Sequence, residues 1–196
     1  MKKFNLFGNH DNVEIYIIPG CRMPERQLKR DDNPVGFDVY TRAIVSLQMD
    51  EANPLMRHTL FDFKNEPRDL PLYDVECFPN MGKFRLAPHH QITLGCGFVL
   101  IMNENLCAYI EPRGSTAGRG LIAPWASVPI DPQFRGEPVF SIYNPNPDFV
   151  WFDRHERLMQ LVFRPVVIPR LAVITDTEKL FPTKRGNLSN GSSGKL

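Results

Sequence analysis

Proline interrupts this chain 18 times in 196 residues, about twice the frequency usual in globular proteins. Each proline lacks a backbone donor and crowds the turn before it, so a long helix does not pass through it. No segment longer than ten residues carries a clear helical period. A helix bundle is therefore disfavoured, and short strands joined by turns are the architecture the sequence permits. Apolar residues, at 42%, are enough for a buried core, and a formal net charge of +1 favours neither a disordered chain nor a polybasic nucleic-acid arm.

Residues 13–18 (VEIYII) are β-rich and run into Pro19-Gly20, a strand ending in a turn. A polar loop over 22–33 follows, and residues 35–47 (VGFDVYTRAIVSL) are strand-like throughout. Residues 50–83, with Pro54, Pro67, Pro71 and Pro79, lose periodicity and are expected to form an irregular excursion. From Phe84 onward short strands are predicted over 84–86, 92–102, 106–110, 139–143, 158–167 and 171–175. Asn144-Pro145-Asn146-Pro147 marks a turn. The expected fold is all-β, a sandwich or barrel. One domain spans residues 1–183, and a glycine- and serine-rich arm spans 184–196.

Targeting, redox and metal signals are quiet. Met1-Lys2-Lys3 leads into Asn5, Gly8, Asn9, His10 and Asp11 rather than an apolar run, so no signal peptide is expected. No apolar stretch approaches the ~20 residues of a membrane span. Cys21, Cys77, Cys96 and Cys107 lack C-x-x-C spacing, which predicts free thiols in a reducing, cytoplasmic compartment. His89 and His90 are adjacent and would face opposite sides of a strand, and His10, His58 and His155 have no ligand partner at a usable spacing. Zinc-protease, serine-hydrolase and dinucleotide-binding patterns do not occur.

Four segments depart from the strand-and-turn pattern. Glu111-Pro112-Arg113-Gly114-Ser115-Thr116-Ala117-Gly118-Arg119-Gly120 combines a pliant backbone with two guanidinium forks, which suits an anion as well as it suits a surface turn. Ile130-Asp131-Pro132-Gln133-Phe134-Arg135-Gly136-Glu137 puts a carboxylate beside an aromatic ring, either a general base with a stacking platform or a solvated turn. In Glu156-Arg157-Leu158-Met159-Gln160-Leu161, two polar side chains in an apolar run require partners, functional ones or a neighbouring carboxylate. The tail carries Lys184-Arg185-Gly186 and then Gly191-Ser192-Ser193-Gly194, an anion clamp or a disordered terminus.

Taken in chain order, these segments resemble the trimeric dUTPase family, which is related to dCTP deaminase. Val35-Gly36-Phe37-Asp38-Val39 is similar to the family's first motif and Pro112-Arg113-Gly114-Ser115 to the second. Ile130-Asp131 with Phe134-Arg135-Gly136-Glu137 resembles the third, and Arg157-Leu158-Met159-Gln160-Leu161 the fourth. Arg185-Gly186 through Gly191-Ser192-Ser193-Gly194 resembles the fifth, so that the likeness spans residues 34–194. The 18-residue separation of Arg113 from Asp131 resembles the deaminase branch. Yet that branch needs a catalytic glutamate where this register has Ser141, and a serine and an arginine where this chain has Gly114 and Gly118. Deamination is rejected on these grounds.

The resemblance implies a distorted jelly roll and hydrolysis of dUTP to dUMP and diphosphate by in-line attack of water on the α-phosphorus. It implies Asp131 as general base, with Phe134 against the deoxyribose and the hairpin backbone around Val128 and Ile130 reading the uracil edge. Arg113, Gly114, Ser115 and Gln160 would cradle phosphates, and Arg185, Gly191, Ser192 and Ser193 would close over the γ-phosphate. Mg²⁺ is the implied cofactor, and Asp38 either holds it through water or serves as structural support. The implied assembly is a homotrimer with shared sites, binding a deoxyuridine nucleotide and neither nucleic acid nor membrane. Asn190 stands where the family carries a tail aromatic, and Gly114 where it carries a serine. Two alternatives therefore stand beside the enzyme: a non-catalytic nucleotide-binding or regulatory trimer, and a diphosphatase of shifted base preference.

Overall fold

The computed structural model describes residues 13–27, 34–63, 71–72, 75–78, 81–173 and 175. Thirteen strands and one five-residue helix are assigned among them. The all-β expectation holds. Strands β1 (Glu14–Ile17) and β9 (Phe98–Ile101) form an antiparallel pair. A second sheet runs β10 (Leu106–Pro112), β13 (Met159–Pro165), β2 (Phe37–Val39). A third runs β11 (Val139–Tyr143), β8 (Gln91–Gly95), β3 (Ala43–Met49), β4 (Arg57–Asp62). The fourth runs β12 (Val150–Asp153), β7 (Lys83–Leu86), β6 (Val75–Phe78), β5 (Pro71–Leu72).

Alternation of buried and outward residues, as in β7 and β8, turns one face of each strand inward. The inward faces meet in a single core that includes Phe61, Phe63, Phe84, Phe98, Phe140 and Phe152, all essentially without solvent contact. Phe84 lies between two rings, with centroids 4.9 Å from Phe63 and 4.9 Å from Phe152. Each such ring contributes about 1.5–3 kcal/mol by burial. A buried amide closes one end of the core. Asn144 Nδ2 donates to the carbonyls of Leu86, Ala87 and Asp148, and its Oδ1 accepts from the backbone and side chain of Asn146.

Several expected elements differ. Residues 35–47 are not one strand: the chain breaks at Tyr40–Arg42 between β2 and β3, which belong to different sheets. Residues 92–102 also divide, into β8 and β9. Gly97 makes the bend at φ 75°, a conformation that favours glycine, and a Cβ there would meet Cys21 at 2.7 Å. The expected irregular excursion is largely strand where it is described: β4, β5 and β6 lie within it, and Phe61 and Phe63 feed the core. β12 was not expected. His89 sits in a turn at φ 60° rather than on a strand. Residues 171–173 form no strand, and Leu171 and Val173 are exposed. The chain divides into two compact units, Met1–Val166 and Val167–Leu196.

Candidate active site

Asp38 organises the first group of candidate residues. It lies on β2, opposite Gln160 of β13, and its carboxylate is buried. Arg113 Nε reaches Oδ1 at 2.7 Å and Arg157 Nη1 reaches Oδ2 at 2.9 Å. Arg113 also donates from Nη1 to the carbonyl of Arg157 at 2.9 Å. Two guanidinium groups are thus fixed side by side by one carboxylate, the strong form of charge-assisted bonding. The backbone after Arg113 turns through the short helix α1 (Gly114–Gly118), held down by the buried Thr116 hydroxyl, which donates to the carbonyl of Leu158. Gly36, Asp38, Arg113, Gly114, Ser115 and Gln160 line a common cavity of about 320 Å³. A Cβ on Gly36 would stand 2.4 Å from Gln160 Oε1, so the glycine leaves the space that the Gln160 side chain fills.

The second group surrounds the hairpin before β11. Ile130 bridges Ala108 of β10 through two backbone bonds, which fixes the hairpin's entry. Phe134 N donates to the carbonyl of Asp131 at 3.1 Å, closing the turn, and the Arg135 guanidinium donates to the carbonyls of Pro132 and Phe134. Asp131 is exposed at the tip. Arg57, Trp125, Val128, Ile130, Asp131 and Phe134 are among the residues lining a cavity of about 260 Å³. It is largely apolar, with one carboxylate and one guanidinium. The exit strand is secured by Glu137, fully buried, which receives two bonds from Arg42, one from the Arg57 amide and one from the Gly97 amide. Burial pushes the nearby Cys96 thiol well above its ordinary pKa, and the Glu137 charge adds to that rise.

The sequence-derived residues therefore fall into two clusters that share no lining residue: Asp38, Arg113, Gly114, Ser115 and Gln160 in one, Val128, Ile130, Asp131 and Phe134 in the other. A third cavity of about 330 Å³, beside Arg22, Tyr40 and Asp62, holds none of them. Arg185, Asn190, Gly191, Ser192 and Ser193 lie outside the described residues. Arg157 finds the neighbouring carboxylate that a polar residue in an apolar run requires. Ser141 is buried on β11 with its hydroxyl against that of Thr93 at 3.0 Å, so no carboxylate stands at that point of the strand. Three features escaped the sequence reading: Arg57, Trp125 and the Arg42–Glu137 pair. Arg57 was hidden in a stretch without periodicity. Trp125 carried one signal, a large aromatic between Pro124 and Ala126 in a turn.

Among the described residues no three His, Cys, Asp or Glu side chains converge to hold a metal. None of the helices found among them is long and apolar enough to cross a membrane.

Comparison with known proteins places this architecture. A family profile described as dCTP deaminase-like matches residues 57–166, more than half of the chain. A deoxyuridine 5'-triphosphate nucleotidohydrolase of Anaeromyxobacter sp. (strain Fw109-5) is 29% identical over 138 residues, covering 67% of this chain and 92% of that protein. The enzyme of the same name from Buchnera aphidicola subsp. Acyrthosiphon pisum is 26% identical over 114 residues, covering 57% and 74%. Among solved structures, the Staphylococcus bacteriophage 80alpha dUTPase with dUpNHpp superposes with a TM-score of 0.60 at 15% identity, over 94% of this chain and 99% of that one. The dUTPase from phage phi11 of S. aureus gives 0.56 at 13% identity, over 85% and 97%. The family match begins at the first residue of β4 and runs through β13, so it takes in both residue clusters except Gly36 and Asp38. With an all-β body built on four small sheets and a sequence match across most of it, the chain belongs to the dUTPases of the dCTP deaminase-like family.

Proposed function

We propose that the protein is a dUTP diphosphatase, converting dUTP and water to dUMP and diphosphate. The observation that carries this reading is the sorting of its polar groups. One cavity presents Arg113, held by Asp38, beside exposed backbone at Gly114 and Ser115. The other is largely apolar, with the exposed Asp131 and the Arg57 guanidinium as its charged groups. A triphosphate suits the first and a nucleoside the second. The names of the related proteins, nucleotidohydrolases of deoxyuridine triphosphate, point to the same chemistry.

In this reading Asp131 accepts a proton from water as its oxygen attacks the α-phosphorus. The new P–O bond forms as the bond to the α–β bridging oxygen breaks, and diphosphate leaves with that electron pair. Phe134 packs against the deoxyribose, so that a 2′-hydroxyl would be crowded and left unpaired. The backbone around Val128 and Ile130 reads the base. Arg113, Gly114, Ser115 and Gln160 bind phosphate oxygens, and Arg185, Gly191, Ser192 and Ser193 close over the γ-phosphate. Asp38 fits structural support better than a metal shell, because the guanidinium charges of Arg113 and Arg157 stand against its two oxygens and repel a cation. We read it as the residue that aims Arg113, and Mg²⁺ as arriving on the triphosphate it neutralises. Since the two clusters line separate cavities within one chain, a complete site is assigned to neighbouring copies in a homotrimer.

The test is diphosphate release with Mg²⁺ from dUTP, UTP, dCTP and dTTP, beside the Asp131→Asn variant. dUTP-selective turnover is expected, falling about 10²–10⁴-fold in the variant as for loss of a general base, with dUTP still bound. Preference for another deoxynucleotide would replace dUTP as the substrate. Tight dUTP binding without turnover would make the protein a binding trimer.

A further inference from the structure

The hairpin bearing Asp131 and Phe134 is gripped by the turn between β3 and β4 and by the first residue of β4. Glu137 N donates to the carbonyl of Leu55 at 2.9 Å. Arg57 answers from the other side: its amide donates to Glu137 Oε2 at 2.9 Å and its Nε to the Glu137 carbonyl at 3.2 Å. Its Nη1 donates to the carbonyl of Leu47, so the side chain is held along its length. The guanidinium carbon then lies 5.8 Å from the centroid of the Phe134 ring, within cation–π range. The ring is confined elsewhere too. A Cβ on Gly136 would stand 2.7 Å from Phe134 Cζ and 3.0 Å from Met49 Cε, so the ring lies over bare backbone next to Met49. Arg57 also lines, together with Phe134, the cavity assigned to the nucleoside.

We propose that Arg57 is a positioning residue that immobilises the Phe134 ring and thereby sets the discrimination of deoxyribose from ribose. The inference rests on the reading of Phe134 as the sugar-facing ring. A ring that can retreat accommodates an added hydroxyl, whereas a ring pinned by a guanidinium and a glycine backbone cannot. Rejection of a hydroxyl by an apolar wall is modest in energy, so it depends on the wall holding still.

Four proteins test this: the unmodified chain, Arg57→Met, Arg57→Lys and Thr59→Val. kcat/KM is measured for dUTP and UTP, and dUMP and UMP binding by calorimetry. Arg57→Met is expected to lower the dUTP-to-UTP ratio about tenfold, chiefly by improving UTP. Arg57→Lys keeps a charge near the ring but loses the fork to Glu137 and Leu47, and should lower it about threefold. Thr59 accepts a bond from Arg42 Nη1 at 2.8 Å at the far end of the network. Its valine variant should melt earlier and leave the ratio unchanged. Equal losses on both nucleotides in the Arg57 variants, with the ratio intact, would make Arg57 merely structural and overturn the inference. If the methionine variant does not fold, the lysine variant decides by the same criterion. If the unmodified chain binds nucleotide without hydrolysing dUTP, the diphosphatase reading fails and the dUMP-to-UMP affinity ratio decides this one. Absence of both binding and turnover overturns the two together.

Discussion

Asp38 and Glu137 are both buried carboxylates held by arginine, yet they leave their arginines in different states. The Asp38 side chain is 8% exposed, while its partners Arg113 and Arg157 keep 28% and 35% of theirs in solvent. The Glu137 side chain is 0% exposed and that of Arg42 only 9%, with Arg42 spending its remaining donors on Thr59 and the carbonyl of Arg57. The first arrangement aims positive charge at a cavity without consuming it. The second consumes the charge to fasten a hairpin to the sheet. One pair of residue types thus leaves charge open to a cavity at one place and makes a fastening at another. Solvent access to the guanidinium decides which.

This contrast can be broken at either end. The largest effect is expected from Glu137→Gln, which leaves Arg42 buried without its counter-charge. Loss of one partner from a buried pair costs about 3–5 kcal/mol, and urea denaturation should show that loss in full. A smaller loss, about 1–3 kcal/mol, is expected for Asp38→Asn, because its two arginines can turn to solvent. That variant should also raise KM for the nucleotide about tenfold, as Arg113 is no longer aimed, whereas a purely structural Asp38 would leave KM unmoved. The smallest effect sharpens the sealed end. Cys96 is protonated in the fold well above its ordinary pKa of 9.0, so the unfolded chain releases that proton first. Its stabilising contribution is complete below pH 9.0 and declines as pH rises toward the folded value. The alkaline fall in melting temperature should therefore be shallower in Cys96→Ala than in the unmodified protein.

The same contrast explains what could be read in the sequence. Asp131, Phe134, Arg113 and Gln160 could be singled out as candidates because their spacing matches ordered family motifs, and β11 because the β-branched and aromatic run VFSIY precedes an Asn-Pro turn. Arg57 and β4 could not. RHTLFD has no aliphatic run, and its register against β3 shifts twice, which blurs a period of two. The break between β2 and β3 was hidden for the opposite reason, since β-branched and aromatic residues continue through Tyr40 and Thr41 while the chain changes sheet. Pairing partners far along the chain, such as Arg42 with Glu137, leave no local trace. The Asp38–Arg113–Arg157 triad was half visible: the need of Arg157 for a carboxylate could be read, but not which carboxylate would answer.

The buried Asn144 that ties three carbonyls together bears also on how the protein ages. Asparagine is lost chiefly when the following backbone nitrogen attacks the side-chain amide and closes a succinimide ring. Asn144 is followed by Pro145, and its partner Asn146 by Pro147, and a proline nitrogen has no hydrogen to give up. The two amides that close this end of the core are thus shielded from that decay by the residues that follow them. The Asn-Pro-Asn-Pro turn sets a chemical lifetime as well as a shape.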